Sequence, residues 1–123
     1  MSTTTAPTPT EVSDLLAKAE AHLERVGHHK GWLYDETKAD AGEALTDVPV
    51  CAVGAVLAAA YGEPRYPSAY PQHSDLVDAA ITALTTTVGQ PIHVWSDAKG
   101  RQKRQVAKAF RDTAASLQAG VAA

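Results

Sequence analysis

A single cysteine, five histidines and one late basic stretch are the side chains of this 123-residue chain whose types and spacing could do chemistry. Cys51 opens the segment "CAVGAVLAAA". A thiol in the first turn of a helix meets unpaired backbone N–H groups and the positive end of the helix dipole, a setting that favours thiolate. His93 and Asp97 follow in "PIHVWSD", so a Cys51, His93, Asp97 triple of the kind used by cysteine hydrolases can be written down. Any chain with one cysteine and several histidines offers such a triple. The neighbours Ala52, Val53, Ala55, Val56 and Leu57 favour a second reading, in which Cys51 is a small buried hydrophobe whose thiol is held neutral and inert. On that reading the chain has no catalytic residues, and Gly54 serves close helix packing.

The second candidate is "KGRQKRQVAKAFR", which holds six of the eleven basic residues: Lys99, Arg101, Lys103, Arg104, Lys108 and Arg111. A basic helical face can contact phosphates. A solvated outer face carries the same residues, and no helix-turn-helix, RNA-binding or zinc-finger signature accompanies them. The acids of residues 31–50 (Asp35, Glu36, Asp40, Glu43 and Asp47) could attract this helix, within the chain or from a second copy. His28, His29 and Asp35 do not have metal-ligand spacing, so no metal site is expected. No phosphate loop, nucleophile elbow or dinucleotide fingerprint is present, so no cofactor is expected.

The elements that must position these groups are mostly helical. Thr10 reads as an N-cap followed by a stripe of Val12, Leu15, Leu16, Ala19, Leu23 and Val26 that stops at Gly27. Residues 31–50 lack a period and read as a long loop, with short extended pieces at 32–34 and 48–50. Residues 51–61 are apolar on every face, the pattern of a central helix, and Gly62 ends them. "EPRYPSAYPQ" is a stiff connector. Ser74 caps a third helix with the stripe Val77, Ala80, Ile81, Leu84 and Val88. "PIHVW" reads as an extended segment, with Ser96 or Asp97 capping a last helix over 101–117 that turns Val106, Phe110, Ala114 and Leu117 inward. The expected fold is mainly α, a compact bundle of about four helices around a central Ala-rich helix, with a minor short β-hairpin. Residues 10–118 form the single domain, 1–9 a Ser/Thr/Pro tail and 119–123 a frayed end.

Net charge is −3, which removes any global pull toward nucleic acid or anionic lipid. The longest apolar run, 50–61, is short of the roughly 20 residues a membrane span requires. No signal peptide is visible, and a lone cysteine fits a reducing compartment, so the expectation is a soluble cytoplasmic protein.

Gly31 and Trp32, "CAVGA" at 51–55 and "WSD" at 95–97 before a basic amphipathic helix resemble an uncharacterised family of small actinobacterial and phage proteins. Its pattern is a helix ending in Gly-Trp, a Cys-Ala-x-Gly-Ala helix start and a Trp-Asn-Asp turn. Ser96 stands where that turn has Asn, and His93 lies outside the pattern. The resemblance spans about residues 12–117 and implies no activity. It implies that Trp32, Cys51, Gly54, Ala55, Trp95 and Asp97 form a linked set, most simply two core tryptophans and an Asp97 helix cap.

Together these readings point to a non-enzymatic helical protein-interaction module, a phage or host accessory protein that docks on a protein partner or on itself. Trp32, Tyr34, Tyr66 and Tyr70 are its candidate contact residues, because aromatics on irregular segments dominate interfaces. Nucleic-acid binding through the basic helix and a Cys51-dependent enzyme are the alternatives.

Overall fold

In the computed structural model, which describes residues 6–67 and 74–122, six helices follow one another: α1 (Pro9–Val26), α2 (Glu36–Asp40), α3 (Ala52–Tyr61), α4 (Ser74–Val88), α5 (Ile92–Asp97) and α6 (Lys103–Ala122). The chain is mainly α, as its periodicity predicts.

α1 starts two residues earlier than the Thr10 reading. Thr8 Oγ1 accepts the Glu11 N–H at 3.1 Å while the Thr8 N–H donates to Glu11 Oε1 at 3.0 Å. This reciprocal box, with Pro9 in the first turn, satisfies more open backbone groups than Thr10 could. Its stripe is buried through Leu23, and Gly27 ends it at φ 99°.

α1 and α6 form the main antiparallel pair. Ser13 Oγ donates to the Ala114 carbonyl, Arg111 pairs with Glu20 at 2.9 Å, and Lys103 Nζ reaches the Glu24 carbonyl. α3 packs on α1, α4 and α5, and its Ala52, Gly54, Ala55, Val56, Leu57 and Ala58 are buried. The central-helix reading of residues 51–61 therefore holds. Phe110 on α6 is the largest fully buried side chain.

Several local readings are corrected. The hairpin reduces to two isolated bridges on Val50, parallel to His28 and antiparallel to Tyr34. Residues 31–50 also contain α2, begun by Asp35, whose Oδ1 accepts the Lys38 N–H at 3.1 Å. "PIHVW" is helical, because Ile92 and Ser96, four apart, both turn into the core while Val94 faces solvent. A polar Ser96 at the second inward position conceals that period. Ser96 and Asp97 consequently belong to α5 and cap nothing on α6, where the Gln102 N–H donates to Gln105 Oε1 at 2.8 Å. α6 runs on to Ala122, beyond the expected 101–117 span. Ser74 is the first residue of α4, and what precedes it lies outside the described residues.

Candidate functional site

The site is built where the loop after α1, the start of α3 and the whole of α5 converge. Gly27 turns the chain out of α1, and residues 28–29 then run beside Val50: its N–H donates to the Gly27 carbonyl at 3.0 Å and its carbonyl accepts the His29 N–H at 2.8 Å. The chain returns on the other side, where the Cys51 N–H donates to the Leu33 carbonyl at 3.1 Å and the Asp35 N–H to that of Pro49 at 2.9 Å. Val50 is thus clasped from both sides.

Gly54 makes the next join. A Cβ built on it would lie 1.9 Å from the Leu33 carbonyl oxygen, so the loop backbone rests directly on the first turn of α3. Only a residue without a side chain permits that approach.

Ser96 makes the third. Its fully buried Oγ accepts the Ala52 N–H at 3.1 Å and lies 3.0 Å from His28 Nε2. One hydroxyl from α5 thereby satisfies an open donor of α3 and holds the loop histidine. Burial lowers the His28 pKa from the ordinary imidazole value, Lys30 adds to this, and Asp97 opposes it.

These joins enclose a half-open cleft of about 680 Å³. Leu33, Val53, Ile81, Pro91 and Ile92 give it an apolar lining. Trp32 and Tyr66 stand at its rim, 51% and 52% exposed. Cys51, His93 and Asp97 also border it, so the structure does bring that triple to one cleft.

The thiol is nevertheless placed as a structural group. Cys51 is 4% exposed and caps α3, Sγ accepting the Gly54 N–H at 3.3 Å. Burial pushes its pKa up and Asp97 pushes the same way; the N–H groups of Gly54 and Val53 pull it down, with smaller effect than burial. The helix terminus that could make a thiolate is outweighed by desolvation.

The implied linked set is partly joined. Trp32, Cys51 and Asp97 border the cleft and Gly54 seats the loop beside it, while Ala55 is in the core. The core-tryptophan expectation is corrected for Trp32, which is half exposed; half-buried Trp95 packs against the core and carries Arg101 on its face, the guanidinium 4.0 Å from the ring centroid. Arg101 Nε also donates to the Trp95 carbonyl at 2.9 Å. Tyr34 is half-buried against the core, drawn in by its bridge to Val50, and Tyr70 lies outside the described residues.

Along α6, Lys108 is paired with Asp112 and Arg111 with Glu20. With Arg101 on Trp95 and Lys103 reaching Glu24, Lys99 and Arg104 are the members of the six without an ion pair or side-chain hydrogen bond among the described residues. Asp47 pairs with Arg25 of α1 at 3.0 Å and Asp35 with His29, so among the described residues the acidic segment's ion pairs are not to the basic helix. His28 and His29 diverge, one to Ser96 and the other to 3.9 Å from Asp35. Sequence reasoning missed Ser96, His28, Ile81 and Pro91 as builders of this region; the i, i+4 pair Ile92 and Ser96 was the one available signal.

The chain is thus a mainly helical domain with an aromatic-rimmed apolar cleft beside a buried, capping cysteine. Comparison with known families matches residues 7–116, and the chain belongs to DUF6197, a family of unknown function. No curated protein and no solved structure matches it. Among the described residues no helix is long and apolar enough to cross a membrane.

Proposed function

We propose that this chain is a non-catalytic binding module whose working surface is the cleft rimmed by Trp32 and Tyr66, into which a protein partner inserts an apolar side chain. The observation that carries this reading is the exposure of two large aromatics at the mouth of one apolar cavity of about 680 Å³. Leaving such surface in water is unfavourable, and aromatic anchors flanking a concave apolar site are where binding energy concentrates. The clasp on Val50, the Gly54 seat and the Ser96 hydroxyl hold the walls before a partner arrives, which lowers the ordering cost of binding.

The test is affinity capture with tagged wild-type chain, run beside Trp32→Ala and Tyr66→Ala. A partner retained by the wild type and lost by both variants is the expected result. Absence of any specific partner and of self-association overturns the reading.

A thiol enzyme is the second reading, favoured by one observation, that Cys51, His93 and Asp97 share the cleft. It requires Sγ to react in the folded chain, and protection of Sγ from alkylation until the protein unfolds removes it.

A further inference from the structure

Asp97 is the charged side chain of the cleft wall. Among the described residues its carboxylate has no cation within ion-pair distance, although Lys99 follows two residues later, and it enters no described hydrogen bond. It ends α5, where helix carbonyls add further negative potential. Residues 31–50, which carry Trp32 to the rim, hold five acids against Lys38 alone. Asp47 is taken by Arg25, and the Asp35 carboxylate caps α2. Among the described residues Glu36, Asp40 and Glu43 enter no ion pair. The rest of the lining is largely apolar, with Leu33, Val53, Ile81, Pro91 and Ile92 in it, and the cavity falls within the ligand-cleft range of about 300–1,000 Å³. An apolar side chain alone would leave the Asp97 end unanswered.

Taking the binding reading above as its basis, we infer that the partner segment seated in this cleft pairs an apolar side chain with an adjacent cationic one, the first against Ile81 and Ile92 and the second at Asp97. Trp32 serves both parts, since an indole face packs on hydrocarbon and attracts a cation. The inference separates an apolar-basic segment from a purely apolar or an acidic one.

Three probes that share a phenethyl group and carry a cationic, a neutral or an anionic head test it: phenethylamine, N-acetylphenethylamine and 3-phenylpropanoate, titrated into the full isotope-labelled chain at neutral pH. The readouts are the amide shifts of Gly31 and Asp97 and the Trp32 indole N–H. The amine is expected to bind roughly fivefold to tenfold more tightly than its acetylated form, and the acid most weakly. Asp97→Asn should remove most of the amine's advantage over its acetylated form. Added salt on the wild type should selectively weaken the amine, giving the same answer without any variant. Equal affinities for all three probes, preference for the acid, shifts confined to the Trp95 side, or no binding overturn the inference. Affinity capture decides the underlying reading separately: a partner lost by Trp32→Ala together with equal probe affinities would retain the docking cleft and discard the cationic requirement.

Discussion

Ser96 Oγ lies 3.0 Å from His28 Nε2, joining the short helix α5 to the loop that leaves α1 across 68 residues of sequence. The same oxygen accepts the Ala52 N–H, so a single hydroxyl ties three elements of the cleft. Ser96→Ala leaves a buried backbone donor and a half-buried imidazole without their shared partner. A loss of about 1–3 kcal/mol is expected, read as a lowered urea midpoint with an unchanged slope. A variant as stable as wild type would show that water or rearrangement replaces the hydroxyl.

Burial lowers the pKa of both His22 and His28 from the ordinary histidine value, so below that value the unfolded chain takes up protons that the folded chain resists. Stability is therefore full above the ordinary value of 6.5 and declines as pH falls below it toward the depressed folded values. Thermal midpoints measured across that window should drop with acidification. His28→Gln together with His22→Gln should flatten this part of the profile.

Gly54→Ala places a methyl group 1.9 Å from the Leu33 carbonyl oxygen. Neither backbone can yield without opening the Cys51 to Leu33 hydrogen bond. The expected cost is about 3 kcal/mol or more, against the small gain in helix propensity that the same change brings at a free helical position. Circular dichroism and a denaturation curve decide it, and a neutral outcome would refute the close approach.

Cys51 should alkylate far more slowly in the folded chain than in urea, with its rate rising only at pH above the range of an ordinary thiol, because burial disfavours thiolate. Cys51→Ala should cost roughly 1 kcal/mol through the lost cap, whereas Cys51→Ser, which keeps an acceptor for the Gly54 N–H, should retain most of that. Rapid modification of the native protein near neutral pH would contradict the buried placement.

Trp32 contributes to the site rather than to the core, so Trp32→Ala should leave the thermal midpoint within about 0.5 kcal/mol equivalent of wild type while removing capture of the partner. A large stability loss would instead mark Trp32 as structural.

Much of the helical frame could be read from residue order. The stripe from Val12 to Leu23, the all-apolar residues of α3, the Val77 to Leu84 stripe and the Val106 to Phe110 face each carry a local period that fixes which side is buried. Gly27, Gly62 and Gly89 mark helix ends through positive φ. Those signals need only neighbours three or four residues away.

What tertiary structure alone decided has a different physical origin. Whether Trp32 is core or surface, whether Gly54 faces a carbonyl, and whether Ser96 caps the helix after it or the helix forty-four residues before it depend on partners remote in sequence. α5 shows the same limit, since six residues hold too few turns for a 3.6-residue period to stand out from an alternating one, and burial of Ile92 and Ser96 against α3 and α4 selects the helix. Local periodicity sets the faces that must be hidden; only packing sets which groups then meet in the cleft.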